Sequence, residues 1–324
     1  MKKVAQLCTK TTLALAISLS LTGCFLEGDN GEVGAIGIQG VAGTDGASGT
    51  EGANGIDANA SITLGLVGRI QLNSDDPEGA AEIVQFHSAS STIYAINSAA
   101  DEPTIEIIDA STLTSDVLAN PLSSENLTSI TLVLPTEQNS VQLAGPTSLA
   151  VSGNWMAVAM PAADKATNGM VLFYNGLDTS SPTFVKAVEV GNLPDMVTFT
   201  PDASKVLTAN EGEPSGDYTI DPEGSISIIS IVDGTPSDTS INISFSDYNG
   251  KQADLEKQGM HFPNPSGRTI NGSLISTTVA QDLEPEYITT TNEVAYITLQ
   301  ENNGLAIVDL SDNSVKVIGL GFKD

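Results

Sequence analysis

The side chains of this chain best equipped for chemistry are carboxylates gathered at turn positions. One group is Glu211, Glu213, Asp217, Asp221 and Glu223; a second is Asp282, Glu284 and Glu286, with Glu301 following one strand later. Pro214, Pro222 and Pro285 each stand beside an acid. The fixed φ of proline stiffens such loops and lowers the entropic cost of holding a ligand. Carboxylate oxygens suit hard cations: Ca²⁺ takes about six to eight oxygens, and extracellular sites work at a Kd of roughly 10⁻⁴–10⁻³ M. No stretch has the spacing of an EF-hand loop. A Ca²⁺ site would therefore be discontinuous, with Glu211, Glu213, Asp221, Glu223, Asp282, Glu284 and Glu286 as candidate metal ligands. A chain this acidic also places solvated carboxylates on ordinary turns, and both readings stay open at this level.

Cations held there could orient phosphate oxygens and activate water, the chemistry of a metal-dependent phosphatase. A basic clamp for the phosphate is thinly supplied, since Lys205 is the one basic residue near these loops in the sequence. No catalytic residue can be named. The G-x-S-x-G elbow, the P-loop and H-E-x-x-H are all absent. His87 and His261 stand alone and read as strand or loop residues, and Trp155 lies in an apolar run that suits packing.

Four stretches must position these acids, and they share one layout: apolar strand, polar turn, second strand, loop, third strand. They are EIVQFHSASSTIYAINSA with TIEIIDAS; SLAVSGNWMAVAMPA with GMVLFYNG; DMVTFTPDASKVLTANEG with GSISIISIVDG; and EYITTTNEVAYITLQENNGLAIVDLSDNSVKVI. Within each, side chains alternate at period two, as Ile226 and Ile228 do against Ser225 and Ser227. The step from Pro146 to Pro194 matches the roughly 40–50 residues of a four-stranded propeller blade. The next step is longer, so residues 235–280 read as an insertion, with KQADLEKQ (251–258) its one helical stretch.

The predicted fold is thus all-β, a β-propeller. A β-sandwich would explain the alternation but not the recurring unit. About four blades make a partial ring, because rings hold about four to eight; ITLGLVG (62–68) is a candidate strand to close one. Loops at one end of neighbouring blades converge on the axis, which would bring the two acidic groups together.

Everything before residue 61 concerns export and attachment. Lys2, Lys3 and Lys10 precede the apolar run TTLALAISLSL (11–21). That run is shorter than the roughly 20 residues of a membrane-spanning helix and has the size of a signal-peptide core. Leu21-Thr22-Gly23-Cys24 resembles the bacterial lipobox, which implies lipidation of Cys24, cleavage before it, and an anchor of two or three acyl chains. Phe25 rather than an aspartate follows the cysteine, which by the sorting rule this resembles implies the outer membrane or cell surface. Cys24 would be the only cysteine left after cleavage, leaving no disulfide within one chain.

From Gly28 to Gly55 glycine occupies every third position, ten in register. That period is the signature of a collagen triple helix, at ~3 Å rise per residue. The segment holds no proline and no base, and a flexible spacer is the competing reading; a homotrimer follows only from the first. The organisation is a leader at 1–23, an anchor and stalk at 24–60 and propeller blades at 61–324. With 12 Lys and Arg against 40 Asp and Glu, the chain repels nucleic acid.

The repeats resemble the choice-of-anchor I family of bacterial surface proteins. The matching stretches are GAAEIVQFHSASSTIYAIN, LPDMVTFTPDASKVLTANEGEP, YTIDPEGSISII, VAQDLEPEYI, YITLQENNGLAIVDL and GFKD, over about residues 64–324. The resemblance implies a seven-bladed type of propeller of which this chain holds about half, used for binding or display at the cell surface. Some members are labelled alkaline phosphatase, which implies a phosphoester hydrolase as the alternative without assigning residues to it.

Overall fold

The computed structural model describes residues 64–72, 79–98, 102–177, 181–264 and 266–322. The leader, Cys24 and the Gly-X-Y segment lie outside the described residues. The chain divides into two units, Met1–Leu66 with Ala119–Ser124, and Val67–Leu118 with Glu125–Asp324. All the strands belong to the second.

Four antiparallel sheets follow one another along the chain, each with its strands in sequence order. The first holds β1 (Ala80–His87), β2 (Thr92–Asn97), β3 (Thr104–Asp109) and β4 (Ser129–Val133). The second holds β5 (Ser148–Ser152), β6 (Trp155–Met160), β7 (Met170–Asn175) and β8 (Thr183–Glu189). The third holds β9 (Pro194–Phe199), β10 (Lys205–Asn210), β11 (Ser225–Val232) and β12 (Ile241–Ser244), the last pairing with β11. The fourth holds β13 (Pro285–Thr290), β14 (Val294–Leu299), β15 (Gly304–Asp309) and β16 (Val315–Gly319).

The first strands β1, β5, β9 and β13 pack against one another in that order, so they are innermost and the sheets fan outward from them. Period-two alternation lets each inner sheet bury both faces. In β10, Val206 faces the second sheet and its neighbour Leu207 faces the fourth. Three cores result, one between each pair of neighbouring sheets. Ile96, Ile105, Leu149, Met156 and Leu172 fill the first. Val171, Phe173, Val197, Val206 and Ile229 fill the second. Leu207, Ile226, Ile228, Ile297 and Val308 fill the third. Each fully buried side chain of this kind contributes roughly 1.5–3 kcal/mol, which one blade could not gain alone. The architecture is a β-propeller arc of four blades, not two sheets face to face.

Several details differ from the sequence reading. Each unit has the fourth strand of a four-stranded blade; in the first three it lies outside the stretches picked out in the sequence, as β4, β8 and β12, and in the fourth it is β16, over the SVKVI end of that stretch. The insertion begins after β12 rather than at 235, since Ile241–Ser244 completes the third sheet. Beyond it come the short helices α1 (Gln252–Glu256) and α2 (Val279–Asp282) and a small hairpin, Thr269–Ile270 with Ser273–Leu274. Residues 64–72 form no strand, so the described part of ITLGLVG does not supply a closing one. No helix among the described residues is long and apolar enough to cross a membrane. Trp155 packs edge-on to Phe173 at 6.2 Å between ring centroids, and its indole N–H donates to the Gly234 carbonyl at 3.1 Å. His87 ends β1 with Nδ1 at 2.7 Å from Ser90 Oγ.

Candidate functional site

In an up-and-down sheet the first strand starts at the end where the second strand finishes. Pro194 pairs with Asn210, and Pro285 with Leu299. The loop 211–224, the connection into β13 and the turn 300–303 therefore share one end of the arc. The same end holds the entries of the innermost strands, where the register slips in three sheets: between Ala80 and Val84, Pro194 and Met196, and Pro285 and Ile288. Such irregularities re-aim side chains and recur beside functional sites. Each holds an acid: Glu82, Asp195 and Glu286. Ala81 (φ 55°) and Leu193 (φ 48°), at two of these entries, are held in the left-handed region that non-glycine residues avoid.

Close backbone contacts fix the loops. Glu211 N–H donates to the Leu193 carbonyl at 2.9 Å, pinning the end of β10 to the entry of β9. Gly224 N–H donates to the Ala280 carbonyl at 3.0 Å, and a Cβ on Gly224 would lie 1.9 Å from the Leu283 carbonyl oxygen. Thr278 and Gln281 form a capping box on α2. The Gln281 amide also donates to the Asp221 carbonyl at 2.6 Å, tying the helix to the loop. Asn302, wholly buried, donates to the Asp282 and His261 carbonyls at 2.7 and 3.1 Å and accepts from Glu284 N–H at 3.3 Å.

Between loop and connection lies a cleft of about 310 Å³ walled by Glu211, Glu213, Asp221, Asp282, Glu284 and Glu301, with Tyr218 among them. Tyr218 is another left-handed non-glycine residue, at φ 56°. Burial is the main force on Glu211, Asp221, Asp282 and Glu284, and at Glu211, Asp282 and Glu284 neighbouring carboxylates add to it. Glu284 is pushed up to about 8, by burial and then by Glu211, Glu301, Asp282 and Glu213. Glu211 rises to about 7 through burial, Asp195, Glu213 and Glu301, with Lys165 opposing. Asp282 rises to about 6 through burial, against hydrogen bonds from Asn264 and the nearby His261. Asp195 and Asp221 are also raised, by burial first.

Two carboxylate oxygens of these residues have no partner among the described residues. Asp282 is 4% exposed; its Oδ1 accepts from Asn264 N–H at 3.0 Å and its Oδ2 from nothing. Asp221 Oδ2 accepts from Thr277 Oγ1 at 3.1 Å, while its buried Oδ1 is bare. Buried polar atoms are almost always paired, and each exception calls for a cause.

Of the seven candidate ligands, five wall this cleft. Glu286 lies just beyond it on β13, where it accepts from the Gln300 amide, shares a hydrogen bond with Glu301 and is pushed up to about 8, mainly by burial. Glu223 lies elsewhere: it lines a separate cleft of about 430 Å³ between the second and third blades and accepts from Ser244 Oγ at 3.3 Å. Asp217 is spent on its own turn, accepting from Ser215 and Thr219, which holds it below the ordinary carboxylate range.

Among the described residues no three acidic, histidine or cysteine side chains are drawn together at the spacing of a metal site. Lys205 begins the strand whose far end leads into Glu211, so it stands at the opposite end of the blade. The lysine that does reach the cleft is Lys165, from the corresponding loop of the second blade. Its ammonium pairs with Glu213 and approaches the Pro214 carbonyl at 3.4 Å. Aligning the repeated units would have found it, because β6–β7 and β10–β11 are equivalent pairs; the same alignment places Asp195 opposite Glu286. A phosphate would meet six carboxylates and one ammonium already paired, so the hydrolase alternative gains no support from this geometry.

The family model described as the choice-of-anchor I domain matches residues 82–324. A search of curated proteins finds no match. Among solved structures, the chain is similar to hydrazine synthase of Kuenenia stuttgartiensis, at 15% identity and a TM-score of 0.42, covering 78% of this chain and 53% of that one. It is also similar to a functionally unknown protein from Desulfotomaculum acetoxidans, at 11% identity and 0.44, covering 78% and 58%. Periplasmic gluconolactonase PpgL of Pseudomonas aeruginosa is similar at 13% identity and 0.33, covering 72% and 69%. This chain thus spans little more than half of the first two. Likenesses so distant carry no argument about activity, whereas the family match takes in all four blades: the chain belongs to the choice-of-anchor I family.

Proposed function

We propose that this protein is a binding module displayed at the cell surface, and that the acid-lined end of its blades is the binding face. One observation carries the reading: carboxylates from equivalent positions of three blades, Glu82, Asp195 and Glu286, stand with the cleft acids at one end of the arc. Burial and mutual repulsion hold several of them protonated near neutral pH. A cation that displaces those protons relieves the repulsion between the carboxylates, and Ca²⁺ at extracellular concentrations is one such ligand.

The lipobox-like Leu21–Cys24 and the Gly-X-Y run supply the rest of the proposal, a lipid anchor at Cys24 and a spacer carrying the blades away from the membrane. The choice-of-anchor I family, whose domains belong to cell-surface or extracellular proteins, supports that location. Three measurements test it. Calorimetric titration with a panel of cations, Ca²⁺ among them, should show saturable binding of at least one, weakened by Glu284→Gln; no heat with any cation ends the proposal for the face. Metabolic labelling with palmitate should mark the wild-type protein and not Cys24→Ser; equal labelling ends it for the anchor. Sedimentation with and without residues 28–57 decides between a trimer-forming stalk and a flexible spacer.

A further inference from the structure

The acids of the cleft differ from a metal centre in how their charge is laid out. A hard cation needs about six to eight oxygens within a few ångströms of one point. Here six carboxylates are spread around about 310 Å³, and no three converge at metal spacing among the described residues. That volume lies at the small end of small-molecule sites, roughly 300–1,000 Å³. The charge suits a ligand that carries several positive groups some distance apart.

The protein supplies an example of the fit. Lys165 lays a primary ammonium against one rim, paired with Glu213 and near the Pro214 carbonyl. Asp282 and Asp221 line the same cleft; among the described residues Asp282 Oδ2 and Asp221 Oδ1 are buried acceptors with no donor, and Asp282 is almost wholly buried. An ammonium brings three donors on a compact head, and a methylene chain between two such heads can lie along the Tyr218 ring and the Pro214 and Pro263 side chains that line the same walls. Charge-assisted hydrogen bonds of this kind are about twice as strong as neutral ones.

Resting on the reading of this end as the binding face, we propose that the cleft between loop 211–224 and the connection into β13 binds a linear polyamine, whose separate ammonium groups pair with Asp221 and Asp282 at depth and with Glu211 and Glu284 nearer the opening. The lysine at the rim marks the register in which one such group sits.

The test is calorimetric titration of the full chain with spermidine, putrescine and Ca²⁺, for the wild type, Asp282→Asn, Glu284→Gln and Glu223→Gln. The expected result is saturable binding of one spermidine, weaker binding of putrescine, and roughly tenfold or greater weakening in Asp282→Asn, the loss of one charge-assisted hydrogen bond. Glu284→Gln carries the same expectation should Asp282→Asn fold poorly by circular dichroism. Glu223→Gln removes an equal charge from a different cleft and should bind as the wild type does. Spermidine affinity equal in all four proteins means diffuse attraction to an acidic surface and overturns the site. Saturable Ca²⁺ binding that spermidine does not displace overturns the polyamine while leaving the binding face standing. No heat with either ligand removes both.

Discussion

Raising the pH should destabilise this protein when a chelator keeps metal ions away, and the acid-lined end sets the size of the effect. In the unfolded chain the carboxyls lose their protons near pH ~4. In the folded protein Asp282 keeps its proton to about 6, Glu211 to about 7, and Glu284 and Glu286 to about 8. A raised folded value means the native state binds more protons than the unfolded one. The associated stability is therefore fully present below pH ~4 and is lost as the pH climbs through 6 to 8. Each excess proton gives a slope of about 1.4 kcal/mol per pH unit. These groups titrate against one another and partly reach solvent, so counting them as one to two protons gives about 1.5–3 kcal/mol per unit between pH 6 and 7.5. Carboxyls held low by their turns, such as Asp217 and Asp309, act below pH ~4 and leave this window alone. Urea unfolding in EDTA at pH 5.5, 6.5 and 7.5 reads the slope. Glu284→Gln should flatten it by close to one proton, whereas Glu223→Gln, equal in charge but outside the cleft, should not. Stability that stays level or rises with pH over this range would refute the argument, and equal flattening in both variants would assign the effect to net charge instead.

Other perturbations have equally definite outcomes. Gly224→Ala drives a methyl group into the Leu283 carbonyl oxygen and should cost about 3 kcal/mol or more in urea unfolding, at the high end for overpacking. Asn302→Ala strips three hydrogen bonds from a wholly buried junction and should cost about 2–4 kcal/mol, because the His261 and Asp282 carbonyls lose their amide donor. Phe173→Ala, in the core between the second and third blades, should cost about 3–5 kcal/mol in the same assay. A loss under 1 kcal/mol there would mean that the two blades do not share a packed core.

Local pattern was enough to establish that this chain is all-β and repetitive. Alternation in stretches such as KVLTAN and SISIISIV reports a strand with two buried faces, and a unit that recurs reports stacking around an axis, because neither signal needs knowledge of distant residues. The same logic located the acidic loops, since strands ending at Asn210 and Leu299 must turn there. The fourth strands of the first three units were not located because an outer strand such as β4, half-exposed with Ile130 and Val133 open to solvent, is only weakly patterned. Which acids meet was decided by tertiary structure alone. Glu223 and Glu211 share a loop yet line different clefts, while Lys165 and Glu213, far apart in sequence, form an ion pair. The capping of α2 by Thr278 and Gln281 was readable as T-x-x-Q, but its grip on Asp221 was not. Charge acts through space at a few ångströms, and only the packing of one blade against the next sets which carboxylates lie that close and which oxygens are left without a donor.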